Sequence, residues 1–474
     1  MAASPTDAAI AVTRLGLGAR PGEIDRVAAD PRGWAVAQIR RDGAPQPTGD
    51  FTPSEQRMAE FLAYQTSQAQ SRTDGATGDA AEPTAAATRQ ARQAERRDIT
   101  EDTAQAFLAR ARLGAETERG FAERWALFWA NALTVSAVRF SSGAFIDQYE
   151  REAIRPNVFG RFEDLAIAAE QHPAMLLYLD QVRSAGPDSR AGTRRKVGLN
   201  ENLAREMLEL HTVGADAGYT QADVTELARA LTGWSTPGRQ DPQGARQSAR
   251  QIEVGRNGFV FRANIHEPGG RTVLGKTYPQ AGKAQGEAIL RDLARHPATA
   301  KRLSRRIAAH FVSDTPPERL VARLEAAWTE SDGDLTQVAR ALVEAPETWT
   351  PQLAKIKTPY EFIVSTHRAL NSRPERILPL RQALVTMGQP PFAAPSPEGW
   401  PDTAADWAGP DALVKRLNWA QSAAAVARLS DVDATAADAL RDRLSERTRL
   451  AVARAESRTE ALTLLLMSPE FQRR

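Results

Sequence analysis

The sequence predicts a mainly α fold: a multi-helix assembly with a small β-hairpin excursion near residues 251–275. Three observations point there. Ala, Leu, Arg and Glu, all good helix formers, recur at helical spacing through most of the 474 residues. Gly and Pro fall mainly between those stretches, where helices should stop. Strand signals are confined to 251–262 and 272–274. In the first of these, Ile252, Val254, Phe259 and Phe261 flank Asn257-Gly258, a dipeptide suited to a tight hairpin turn.

Taken in order, 98–113 carries Ile99, Ala106 and Phe107 on a helical spacing and ends at Gly114. The segment 121–133 is a second helix, rich in Trp and Phe. Helices at 144–154 and 161–170 are divided by Pro156 and Gly160, and another runs over 174–182 beyond His172-Pro173. Gly214 and Gly218 supply the turn between helices 202–212 and 221–231. The spacing then predicts an antiparallel-looking series, 285–295, 298–312, 317–330 and 336–344. Helices 414–429 and 436–466 close the chain.

Three stretches read differently. Residues 66–97 form a low-complexity polar insertion that buries too little apolar surface to order itself, although 84–97 could be a solvated helix. The stretch 235–250 is a polar loop bearing Pro237, Gly238, Pro242 and Gly244. By contrast 388–410 is dense in Pro and Trp, and should lie packed against the body. The expected organisation is an N-terminal helical segment over 1–65, the insertion over 66–97, and the main helical body of the same domain over 98–474.

Composition narrows the function classes. The 61 Lys plus Arg nearly balance 59 Asp plus Glu, for a net charge of +2, which gives no broad field for nucleic acid or anionic lipid. With no cysteine there are no disulfides, thiolate zinc sites, iron–sulfur clusters or cysteine nucleophiles. The first 18 residues lack a basic end followed by an apolar run, and the most apolar stretch, 125–138, is too short to span a bilayer. The location expected is the cytoplasm, or the periplasm if an export signal is missing from the start.

Few motifs carry chemistry. Gly16 to Gly22 resembles a phosphate-binding loop, but the spacing is wrong, no strand precedes it, and it reads as a turn. No Gly-x-Ser-x-Gly elbow or His-Glu-x-x-His zinc helix occurs. The densest polar run is 200–212. There Leu203, Met207 and Leu210 form the core-facing stripe, while Asn202, Glu206 and Glu209 gather on a neighbouring arc. Glu201 with Arg205, and Arg205 with Glu209, have the spacing of helix ion pairs. Glu206 and Glu209 could equally serve as metal ligands or as an acid and a base. His211 lies about 200° round a regular helix from Glu209, so the two would not share one ion. It reads as a helix-end residue or as part of another wall.

A second group, His266, Glu267, Arg271 and Lys276, sits in a glycine-bearing loop of a composition suited to an anionic or polar ligand. The alternative is a loop pinned by its own charges. His172 and His296 each precede proline at a helix boundary and read as structural. His310 and His367 read as hydrogen-bonded core histidines.

Several longer motifs occur in order: Arg14-Leu15-Gly16-Leu17-Gly18, Tyr149 to Pro156, Asn200 to Gly214, Leu231-Thr232-Gly233-Trp234, His266-Glu267-Pro268-Gly269 with Leu274-Gly275-Lys276, and Glu398-Gly399-Trp400-Pro401. In these the chain resembles the bacterial domain of unknown function 1800 family, from about Ala8 to the C-terminus. The resemblance implies a mostly helical protein with no established activity. It also implies a shared pathway or a partner, since relatives are often encoded beside a domain of unknown function 1501 protein, itself similar to alkaline phosphatases and sulfatases. One departure stands out: many relatives carry histidine in a Trp-x-Asn-His-Phe segment, where this chain reads Trp129-Ala130-Asn131-Ala132-Leu133.

Two functions of different class follow. One is a binding or accessory protein whose charged residues brace helices and present a groove. The other is a hydrolase-like enzyme with Glu206, Glu209 and His266 as catalytic groups, and Asn202, Arg205, His211, Glu267, Arg271 and Lys276 around the ligand. A divalent metal would be its cofactor, although no specific motif calls for one. The substituted Ala132 tips the reading toward the first.

Overall fold

The computed structural model describes residues 5–77, 82–195, 198–238, 252–429 and 431–474. Helices dominate it, and two small antiparallel sheets interrupt them. The helix predicted at 121–133 is Gly120–Ala132, a deeply buried stretch of the fold, with Phe121, Trp125 and Trp129 all sealed from solvent. The Trp125 indole N–H donates to the Val158 carbonyl at 2.7 Å, so its one polar atom is satisfied inside. The ring lies parallel to Phe159.

Residues 66–97 are helical wherever they are described, which corrects the expectation of an unordered insertion. Helices Ser54–Thr77 and Glu82–Glu116 lie against one another. Arg57 pairs with Asp102 at 2.7 Å and Ser67 donates to Glu95 at 3.3 Å, an antiparallel register. The stretch is rich in Ala, Gln and Arg, which are strong helix formers. Met58, Phe61, Tyr64 and Ile99 pin its base to the core.

The β excursion is where it was expected. Strands β1 (Trp234–Ser235), β2 (Ile252–Val254) and β3 (Val260–Arg262) form a sheet in the order β1-β3-β2, with Val254 opposite Val260. Asn257 and Gly258 sit at φ 54° and 81°, the left-handed geometry that a tight turn requires. Strands β4 (Arg271–Val273) and β5 (Lys276–Tyr278) make a second hairpin through Leu274 and Gly275. Most of the predicted 235–250 loop, from 239 onward, lies outside the described residues.

Two helices predicted as continuous are broken. The 436–466 stretch divides into Val432–Leu440, Glu446–Ala453 and Arg458–Met467. Asp431, Ser445 and Ser457 cap the three by accepting the N–H groups of Ala434, Thr448 and Glu460. Near 180, helix Pro173–Tyr178 stops and Asp180 turns the chain at φ 57°.

The apolar residues condense into two clusters. The larger gathers the N-terminal helices, Gly120–Ala132 and the helices up to Leu335–Glu344. The smaller combines Leu17, Phe107, Leu108 and Ala111 with helix Pro359–Ala369 and the C-terminal helices. Phe392, from the Pro- and Trp-rich 388–410 stretch, packs against both. Among the described residues no helix is long and apolar enough to cross a membrane.

Candidate functional site

The residues singled out in 200–212 are drawn into a helix-bracing network. Arg205 lies 3.4 Å from both Glu201 and Glu209, the predicted ion pairs. Glu201 also accepts from Gln221 and Thr225 of the next helix, and Glu209 accepts from Tyr219 at 2.6 Å. Asn202 is exposed at the start of its short helix. Glu206 is half-buried, and burial raises its carboxyl above the ordinary value, with Glu209 and Glu170 adding to the effect against His211.

The helix does not stay regular here. Met207–His211 is a π-helical turn, and it delivers His211 to Glu170, with Nδ1 donating to Oε1 at 2.6 Å inside the core. His211 Nε2 and Glu170 Oε2 are both buried without a hydrogen-bond partner among the described residues.

The 264–271 loop has its own set of neighbours. His266 Nδ1 donates to the Thr232 carbonyl at 2.8 Å, and Thr232 Oγ1 accepts from the Glu267 N–H. Glu267 is buried and accepts from the Asp188 N–H at 2.9 Å. Arg271 reaches Glu226 at 3.3 Å, and Lys276 pairs with Asp292. The charges that act on His266 are Arg271 and Glu267, and those that act on Glu206 are His211, Glu209, Arg205 and Glu170. Among the described residues no group of three or more His, Asp or Glu is placed to hold a metal ion.

The Gly16–Gly22 turn has the wrong polarity for a phosphate. Its carbonyls face inward and accept from buried guanidinium groups, Gly16 from Arg124 and Gly18 from Arg368, each at 2.6 Å. His172 and His296, read as structural at helix boundaries, cap helices by accepting the N–H groups of Ala174 and Ala298.

A cavity of about 120 Å³ opens elsewhere, at the seam between the two apolar clusters. Phe107, Tyr360, Phe392 and Trp400 supply aromatic wall, and Pro390 and Pro391 extend it. Several side chains on the seam are positioned by sequence motifs. Asn131 turns its amide on the backbone of Trp400, donating to the carbonyl at 3.0 Å and accepting the N–H at 2.8 Å. Gly399 precedes that contact at φ 96°, where a Cβ would stand 2.5 Å from the Asn131 carbonyl oxygen, so only glycine fits.

Glu150 arrives on a second π-helical turn, Tyr149–Ile154. It receives Arg110 at 3.0 Å and Arg155 at 2.6 Å, and Arg155 also grips Glu123 at 2.6 and 2.9 Å. Burial pushes the Glu150 carboxyl up, but the two guanidinium groups outweigh it and hold it below its ordinary value. Arg110 lies over three rings of the wall, 4.9 Å from the centre of Tyr360, 5.3 Å from Phe392 and 5.4 Å from Phe107.

The lining also includes His310, Asp402 and Glu361. His310 Nδ1 donates to Asp402 Oδ2 at 2.7 Å, which leaves Nε2 buried with no hydrogen-bond partner among the described residues. Burial lowers the imidazole below its ordinary value, against the opposing pull of Asp402. Asp402 and Glu361 would be raised by burial, yet neighbouring cations hold both below the carboxylate norm: His310, Lys355 and Arg474 for the first, Arg124 and Arg474 for the second.

The sequence reading named His310 only as a core residue and passed over Arg110 and Asp402. Asn131, Glu150 and Trp400 lay inside quoted motifs, but nothing local tied those motifs to one another. Ala132 packs in the larger apolar cluster and is not among the cavity-lining residues.

Neither a curated protein nor a solved structure matches the chain. A family profile does, over residues 10–473, and so the chain belongs to the family described as protein of unknown function DUF1800.

Proposed function

We propose that this protein is a binding protein that holds a small ligand in the cavity between the two apolar clusters. The ligand has an apolar or aromatic body and at least one hydrogen-bond donor. The observation that carries the reading is the lining itself: aromatic and proline surface, with polar side chains such as Gln389, Thr358 and His310 among the lining residues. An apolar cavity with a few fixed polar groups is the usual form of a small-molecule site. At about 120 Å³ it approaches the size that takes up a single benzene ring, roughly 150 Å³.

Benzyl alcohol matches this chemistry, with a ring for the aromatic wall and a hydroxyl for the polar side chains of the lining. It should raise the melting temperature saturably, with about 2.7 kcal/mol of stabilisation at a hundred times its dissociation constant. Ala130→Leu, which puts bulk into the lining, should abolish the rise while leaving the protein folded. No rise in the wild type, or an equal rise in both proteins, would reject the reading.

A further inference from the structure

We propose that Arg302 and Arg306, on helix Pro297–Phe311, form a binding site for a phosphate dianion. The two stand four positions apart, so both side chains leave one face of the helix, with Cβ atoms about 5–6 Å apart. Arg306 makes no hydrogen bond or ion pair among the described residues. Its Nη1 is sealed from solvent, while the residue as a whole is part-exposed. The edge that solvent reaches is therefore the one carrying Nε and Nη2. Arg302 is part-exposed too, and its Nη1 donates to the Leu210 carbonyl at 2.6 Å, its one hydrogen bond among the described residues. Gly214 leaves room for that anchor, since a Cβ there would stand 2.7 Å from Arg302 Cδ.

Two cations side by side without an acid between them are held at a cost. Burial lowers both guanidinium groups, Arg302 to about 10, and the charge of Arg306 lowers Arg302 further. Arg305, the next basic residue of the helix, shows the ordinary arrangement, a pair with Glu318 at 2.6 Å. The acids that act on Arg306 are Glu398 and Asp402, and Glu398 also acts on Arg302. Asp402 is already engaged by His310 and Lys355. Glu398 is exposed, and it forms an ion pair with neither arginine among the described residues. A partnerless polar group in a folded protein commonly marks the place of an ion.

The open edges set the class of ligand. Nε–H and Nη2–H of a guanidinium point the same way, as a fork that grips two oxygens of an oxyanion. Arg302 offers a second guanidinium from one helical turn away. A carboxylate spends both oxygens and its one charge on the first fork. A phosphate keeps a third oxygen and a second charge for the other arginine. Neither arginine lines the cavity between the apolar clusters, so the site stands apart from the ligand proposed there.

The experiment is thermal unfolding of the full chain in rising inorganic phosphate, at a pH where phosphate is mainly dianionic, with sodium chloride of matched ionic strength as the control. The result expected is a saturable rise in melting temperature beyond that in chloride. Arg306→Gln should weaken phosphate binding by about ten- to a hundredfold, the usual effect of losing charge-assisted hydrogen bonds. Without phosphate it should melt no lower than the wild type, because the cation removed has no partner. Arg306→Lys keeps the charge but not the fork, and should weaken binding as well. Glu398→Gln should tighten binding by about two- to fivefold, because a competing exposed anion is gone. Glycerol 3-phosphate binding as tightly as inorganic phosphate would assign the site to phosphate monoesters, and weaker binding to the free ion. Four results overturn the proposal: no rise beyond chloride, an equal rise in Arg306→Gln, acetate binding as tightly as phosphate, or a Glu398→Gln protein that melts lower and binds phosphate no better. The last would make Glu398 the arginines' own partner.

Discussion

Asn131 commits both ends of its side-chain amide to one backbone unit, and so ties the helix Gly120–Ala132 to the Trp400 segment that closes the cavity. A backbone carbonyl and N–H stripped of a partner in a half-buried site are costly, about 1–3 kcal/mol. Asn131→Ala should therefore lower stability by that order in urea unfolding and weaken benzyl alcohol binding at the same time. A midpoint shift equivalent to under about 0.5 kcal/mol, within the range of ordinary surface substitutions, would mean that the amide does not hold the loop. Single residues of this kind were only partly legible. Asn131 and Gly399 stood in recognisable motifs, but the motifs are separated by more than 260 positions, and their contact has no signature in either.

At the scale of elements, the π-helical turns are where the fold departs from the regular geometry assumed in reading the sequence. Tyr149–Ile154 and Met207–His211 each insert an extra residue into a turn, a distortion that often accompanies functional positions. The first is followed by Arg155, whose side chain is fully buried between Glu123 and Glu150. Arg155→Met would leave Glu123 buried without the two hydrogen bonds it receives from that guanidinium. Such a broken pair should cost about 3–5 kcal/mol, read as a lower urea midpoint. Adding Glu123→Gln should recover part of the loss, because the stranded charge is removed. A double variant no more stable than the single one would refute the charge explanation.

For the whole molecule, most of the shifted acidic and histidine groups act in one direction with pH. His172, His310 and His367 are held below the ordinary imidazole value by burial, His367 at about 4. Unfolded histidines take up protons near 6.5, and the folded ones only at lower pH. Below that point the unfolded chain binds more protons, so stability that is fully present above it declines as the pH falls through the folded values. Glu150, Glu361 and Asp402, also depressed, act in the same sense at still lower pH. Glu206 and Asp147 are raised by burial and oppose this, since their contribution is present at low pH and is lost as pH rises through their folded values. With the depressed groups in the majority, the urea midpoint should be lower at about pH 5 than at about pH 7.5. A higher midpoint at the acidic pH would contradict the assignment.

What the sequence determined by itself is local. Helices, the Asn257-Gly258 hairpin, the Glu201–Arg205–Glu209 pairs and the histidine caps before proline all depend on residues within a few positions, where spacing and backbone geometry act directly. The tertiary structure alone decided that His310 meets Asp402, 92 positions on, and that Arg124 meets Glu361, 237 positions on. Such meetings follow from how two apolar clusters pack against each other, and a burial-driven contact between distant segments leaves no period in the chain that makes it.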